Sequence, residues 1–115
     1  LAECCVTGPR RLGAEVALPP AERVDELLFG EAPSRVVVSA PPAELDRLTQ
    51  IVREWAIPLS VLGAVGGDRL RIRVGDAVRV SLEVAALADA FDHGLSRALE
   101  QPVEALSGRD AEDPT

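Results

Sequence analysis

Apolar and polar positions alternate most clearly in three stretches of the chain. Residues 14–18 read Ala-Glu-Val-Ala-Leu and end at Pro19-Pro20, which predicts a strand. In residues 69–74, Leu70, Ile72 and Val74 alternate with Arg69, Arg71 and Arg73. After the Gly75-Asp76 turn, Val78, Val80 and Leu82 alternate with Arg79 and Ser81. The last two stretches predict a β-hairpin with one buried and one wet face. A different pattern appears at 35–39, where Val36, Val37 and Val38 are apolar without interruption. Such a run reads as a strand covered on both sides, the central strand of the sheet. A charge buried at Val37 would cost several kcal/mol, so this reading expects Val37→Asp to unfold the domain. Residues 59–65 are expected to form a further strand, running into Gly66-Gly67-Asp68.

Three-and-four spacing marks the helices. Residues 1–6 have helical composition and stop at Thr7-Gly8-Pro9, and their uncapped start predicts that the chain is a fragment. Val24, Leu27 and Leu28 give a short helix over 22–29. Pro41-Pro42 opens a longer one, with Leu45, Leu48, Val52 and Trp55 on one side and Ile57-Pro58 as its stop. Ser81 and Glu83 are read as the start of a last helix, striped by Val84, Leu87, Ala88, Phe91, Leu95 and Leu99 and ended by Gln101-Pro102. From Arg35 the order is β-α-β-β-β-α. The fold class is α+β, with a mixed, mainly antiparallel sheet and helices packed on one face. Residues 1–106 form one domain, and 107–115 are a polar, acidic tail expected to be disordered.

Composition removes several functions. The net charge of −7 sets the chain against a polyphosphate partner, so no nucleic acid is expected. All 12 basic residues are arginine, which excludes Schiff-base lysine chemistry and a P-loop lysine from this stretch. No run is long enough for a membrane span, and no signal peptide is visible. Cys4 and Cys5 are adjacent, and the chain has no other cysteine. No disulfide framework follows, a cytoplasmic location is expected, and two thiols buried on a helix are the plain reading. His93 is the only histidine, so no metal site is expected either.

Four groups of side chains are candidates for chemistry. Gly30 and Pro33 shape a turn that holds Glu31, Ser34 and Arg35 at the mouth of the 35–39 segment. These three can meet a ligand, or Glu31 can pair with Arg35 while Ser34 caps the turn. Gly66 and Gly67 beside Asp68 can let a phosphate approach the backbone, or simply join two strands. Arg69, Arg71, Arg73 and Arg79 can face an anion or an acidic partner, or pair with acids across the sheet. Asp92-His93 invites a general-base reading. Helix neighbours point apart, however, and no nucleophile is placed beside them, so a surface histidine is expected.

Three stretches taken in order carry a family resemblance. They are Leu-Ala-Glu-Cys-Cys at the start, Leu-Leu-Phe-Gly-Glu-Ala-Pro-Ser-Arg-Val-Val-Val-Ser from Leu27, and Ile-Pro-Leu-Ser-Val-Leu-Gly-Ala-Val-Gly-Gly-Asp-Arg-Leu from Ile57. Together they resemble the last domain of the synthetase subunit of phosphoribosylformylglycinamidine synthase. That domain type is shared with aminoimidazole ribonucleotide (AIR) synthetase and covers about residues 1–99. The resemblance implies an AIR synthase C-terminal domain-like fold in an ATP-dependent C–N ligase of purine biosynthesis. The whole enzyme would use ATP and Mg²⁺ to convert formylglycinamide ribonucleotide to its amidine. Its ammonia would come from a glutaminase subunit. The implied partners are the remaining domains of the same subunit and that glutaminase. The catalytic histidine, metal carboxylates and nucleotide lysine belong to segments outside this chain, so the chain alone is expected to bind no cofactor, to carry no catalytic residue and to be inactive. In the family's substrate-side copy the turn reads Glu-Ser-Gln and contacts the ribonucleotide. Here the matching residues are Glu31, Ala32 and Pro33, which fits the second, architectural copy.

Two alternatives stand beside this reading. The element order also resembles small regulatory modules that dimerise through sheet edges and bind amino acids. The same domain type further occurs in related ATP-dependent enzymes that make selenophosphate or thiamine phosphate, or that mature hydrogenases.

Overall fold

A computed structural model describes residues 1–100. The expected helix stop at Gln101-Pro102 and the tail at 107–115 lie outside the described residues. The elements run α1 (Ala2–Thr7), β1 (Ala14–Leu18), α2 (Val24–Phe29), a 3-10 turn (Pro42–Glu44), α3 (Leu45–Glu54), β2 (Gly63–Val65), β3 (Arg69–Val74), β4 (Ala77–Glu83) and α4 (Val84–Glu100). The architecture is α+β. One sheet has the order β2-β1-β3-β4, with β1–β2 and β3–β4 antiparallel and β1–β3 parallel.

Alternation places the core. Ala14 and Val16 of β1 stand opposite Leu70 and Ile72 of β3, and all four are buried. Leu70 is the most enclosed large side chain, at 2 % exposure. Cys5 and Val6 of α1 and Val84 and Ala88 of α4 close over the same face. Glu15, Arg69, Arg71 and Arg73 occupy the other, solvated face. Gly13 makes the entry to β1 possible, because a Cβ there would run into the Arg69 backbone. Its N–H donates to the Gly67 carbonyl at 2.9 Å, and its carbonyl accepts from the Gly66 N–H at 2.8 Å.

Several sequence expectations change. Residues 35–39 form no strand and lie off the sheet, with Val36, Val37 and Val38 80 %, 50 % and 61 % exposed. The sheet is instead centred on β1 and β3, whose nonlocal parallel pairing no local pattern announces. Val37→Asp therefore introduces no buried charge into this sheet. Of the expected 59–65 strand, only Gly63–Val65 takes strand form, with the Leu62 carbonyl accepting from the Ala17 N–H just before it. Ser81 and Glu83 belong to β4, and α4 begins at Val84 without an intervening loop. The Val84 N–H donates to the Asp68 carbonyl at 2.8 Å, which fixes the helix start against the β2–β3 turn.

The hairpin also carries a register shift. Ile72 pairs with Val80, but Arg73 pairs with Val78, leaving Arg79 as the extra residue of a bulge. One inserted residue reverses the alternation. Val78 therefore shares the wet face with Arg73, and it is half exposed rather than buried beside Val80. The α4 stripe is buried only in its first turns. Val84 and Ala88 are enclosed, whereas Phe91, Leu95 and Leu99 are exposed along the rest of the helix.

The end of α3 has a specific lock. The Ala56 N–H donates to the Arg53 carbonyl at 3.1 Å, and the Ile57 N–H donates to the Val52 carbonyl at 2.8 Å. This is the Schellman arrangement, which needs a left-handed residue after the cap. Ala56 takes that place with φ 52°, where glycine would fit without strain.

Two outcomes are expected. Leu70→Ala should lower unfolding stability by roughly 2–5 kcal/mol, read by chemical denaturation, because the site cannot collapse around the missing methyls. Ala56→Gly should slow amide exchange in α3 roughly 2- to 5-fold, the equivalent of about 0.5–1 kcal/mol of relieved backbone strain.

Candidate functional site

One surface depression is an open groove of about 680 Å³ where three parts of the chain meet. Arg10, Arg11 and Leu12 come from the approach to β1. Gly67 and Asp68 come from the β2–β3 turn. The first half of α4 supplies Val84, Ala85, Ala88, Asp89, Asp92 and His93, with Glu83 at its start. The turn can sit here because Gly67 holds φ 70°, a left-handed angle that suits glycine, and open space surrounds its Cα.

Its polar groups are largely committed to one another. Arg11 donates to Asp92 at 2.9 Å, joining the β1 entry to α4 across 81 positions of sequence. Arg97 grips Asp89 with two bonds of 2.7 Å each, and His93 Nδ1 lies 3.2 Å from the same carboxylate. The Arg97 bonds hold the Asp89 carboxyl below its ordinary value, with its charge attraction and that of His93 adding to them. Asp89 therefore stays anionic at neutral pH. These groups are exposed, so each pair contributes little stability, and together they fix side-chain orientation. Asp92 and His93 turn to different partners, Arg11 and Asp89, as helix geometry requires of neighbours. No ion pair occupies Arg10 among the described residues, leaving it as the groove's available cation.

The sequence candidates separate in space. Gly67 and Asp68 line the groove, and Gly66 hydrogen-bonds beside it. Glu31, Ser34 and Arg35 lie elsewhere, exposed on the connection after α2. Ser34 takes φ 63°, and no ion pair involves Glu31 or Arg35 among the described residues. Of the arginine row, Arg69 pairs across the hairpin with Glu83 at 3.5 Å, while Arg71, Arg73 and Arg79 remain exposed. The two cysteines differ from the expectation of a buried pair. Cys5 is in the core, but Cys4 is exposed, since neighbours on a helix at 3.6 residues per turn point in different directions. Burial, and then the neighbouring Cys4, pushes the Cys5 thiol up, so it remains protonated and unreactive. Arg10 and Arg11 escape a reading of the sequence, which sets Asp92 beside His93; only the fold brings the three to one groove.

The groove can hold a charged group by Arg10, His93 and backbone. It has no nucleophile aligned with a base, and among the described residues no three carboxylate, histidine or cysteine side chains cluster closely enough to bind a metal ion.

Relatives place that surface in a family. A phosphoribosylformylglycinamidine synthase subunit PurL of Anaeromyxobacter sp. strain Fw109-5 is 37% identical over 126 residues, which is 99% of this chain and 16% of that protein. The PurL of Anaeromyxobacter dehalogenans strain 2CP-C is 36% identical over 109 residues, 88% of this chain and 14% of the relative. The PurL of Salinibacter ruber is 39% identical over 89 residues, 76% of this chain and 12% of the relative. No protein-family model and no solved structure matches the chain. The chain thus spans about a sixth or less of the curated relatives it matches, and across nearly all of its own length it belongs to the PurL family of phosphoribosylformylglycinamidine synthase subunits.

Proposed function

We propose that this chain is the C-terminal domain of an ATP-dependent ligase subunit that converts formylglycinamide ribonucleotide to formylglycinamidine ribonucleotide in purine biosynthesis. The carrying observation is the likeness to PurL subunits along 99% of the chain, combined with a match to only 16% of the relative. Overall the reaction exchanges the formamide oxygen for an ammonia nitrogen, at the expense of ATP. Ammonia would come from a glutaminase partner, and the remaining domains of the same subunit would complete the site. The donor set here does not suit Mg²⁺, because Asp92, Glu83 and Asp89 are paired with Arg11, Arg69 and Arg97, and among the described residues no three possible ligands gather around one point. ATP and Mg²⁺ are therefore assigned to other segments of the enzyme, and no catalytic step to this chain.

Its own part is architectural. Arg10 and the Gly66-Gly67 turn face outward beside α4, while Glu31, Ser34 and Arg35 project from a separate connection. Both sets are exposed, as groups that meet a neighbouring domain would be. Free cysteines and an acidic surface agree with a cytoplasmic setting.

The test is an assay for amidine formation from formylglycinamide ribonucleotide, ATP, Mg²⁺ and ammonia. The isolated chain should show no turnover and no ATP binding by calorimetry. The longer polypeptide carrying this stretch should turn over, and deletion of the stretch should abolish activity. Turnover by the isolated chain, or undiminished turnover without it, overturns the proposal.

A further inference from the structure

The sheet has two faces, and they differ in cover. Helices α1 and α4 close over the core face, whereas Glu15, Ala17, Arg71, Arg73 and Ser81 of the other face are all exposed. Arg71 and Arg73 stand two apart on β3, which puts them on one side of the strand and roughly 7 Å apart along it. Their register neighbours include small residues: Ala17 lies beside Arg73 on β1, and Ser81 beside Arg71 on β4. Glu15 is opposite Arg71 in register, yet among the described residues no ion pair engages Arg71, Arg73 or Arg79. Arg69, at the start of the row, is the one that pairs, with Glu83.

The register shift in the hairpin adds to this face. It turns Val78 outward beside Arg73, where it is 49 % exposed, and leaves Arg79 exposed as the extra residue next to it. Bulges re-aim side chains in this way and recur beside functional sites. Val78 and Ala17 thus form an apolar spot on either side of Arg73. The chain as a whole carries a charge of −7, so three guanidiniums without an ion pair in one part of the sheet reverse its sign locally. At physiological salt, exposed charges more than about 8 Å away are largely screened. A short ligand on this face meets the arginines and little of the acidic surface elsewhere, whereas a long polyphosphate would run out over that surface.

We propose that this face docks a short, extended acidic segment of a separate polypeptide, with carboxylates at alternate positions and an apolar side chain next to them. Side chains two apart on an extended segment repeat at roughly the same 7 Å as Arg71 and Arg73. A guanidinium can take a carboxylate through two parallel hydrogen bonds, which a lysine could not. The apolar side chain rests on Val78 and Ala17. The groove beside α4 does not reach these residues, and an open sheet suits a chain lying across it better than a small anion, which needs a concave site. Guanidiniums are costly to bury for good, and permanent interfaces are more apolar than this face. The contact is therefore reversible and salt-sensitive. It does not depend on the ligase reading, which gives this face no part.

The test is fluorescence anisotropy of a labelled Glu-Ser-Glu-Ser-Val-Ser-Glu peptide titrated with the longer polypeptide carrying this stretch. The peptide should bind, and its affinity should fall severalfold between about 50 mM and about 300 mM salt. Replacing both Arg71 and Arg73 with alanine should weaken binding roughly tenfold or more. Val78→Asp should weaken it as well, by pairing with Arg73 from within. Arg53→Ala, at an exposed position on α3, should leave it unchanged. In the unaltered protein the peptide should slow amide exchange along β3 and β4, a reading that needs no variant to fold. Absence of binding, equal binding of the glutamine counterpart, or indifference to the double substitution overturns the proposal. Inorganic tripolyphosphate displacing the peptide more strongly than unlabelled peptide does also overturns it, by assigning the face to phosphates. A dimer in sedimentation that the double substitution disperses overturns it by assigning the face to a second copy.

Discussion

The parallel pairing of β1 with β3 is the interaction on which the remaining structure depends. It sets Ala14 and Val16 beside Leu70 and Ile72, and so creates the only continuous buried face among the described residues. That face attracts α1 and α4, because Cys5, Val6, Val84 and Ala88 have no other apolar surface of comparable extent to cover. The pairing is nonlocal and its loop-closure cost is met only when the whole face assembles. Gly13 is part of the same constraint, since β1 enters at a distance from Arg69 that no side chain would allow.

The groove follows from that pairing. Bringing the β1 entry beside the β2–β3 turn puts Arg11 within reach of Asp92, and the α4 start is tied to the same turn through Asp68. Its electrostatics are those of a surface lattice: Asp92, Glu83 and Asp89 each face an arginine, and solvent keeps each pair weak. Such a lattice orients groups without perturbing a base or a nucleophile for catalysis. The groove belongs to a chain that spans about a sixth of its PurL relative.

Some of this organisation is legible in residue order. The 14–18 strand and the hairpin follow from period-two alternation, and the helices from three-and-four spacing and proline stops. The register shift at Ile72/Arg73 is not legible, because Val78, Val80 and Leu82 look equivalent until Arg79 bulges and turns Val78 outward. The triple valine is the instructive failure. Its composition specifies a strand that wants cover on both faces, but composition cannot supply the neighbour. In the structure that segment stands off the sheet with the valines exposed.

Of the groove, sequence singled out the glycine turn at Gly66-Gly67, whereas its other candidates, Glu31, Ser34 and Arg35, lie apart from it. It also anticipated that His93 would be a surface residue. Periodicity and composition account for the strongly patterned elements, the absence of lysine chemistry and the family resemblance, all of which are local or compositional properties. Tertiary structure alone decided which strands are central, which half of the α4 stripe is buried, and that Arg10, Arg11 and Asp92 meet Gly67 across the groove. Those outcomes depend on pairing between distant segments, whose free energy is shared by many residues and written in no single stretch.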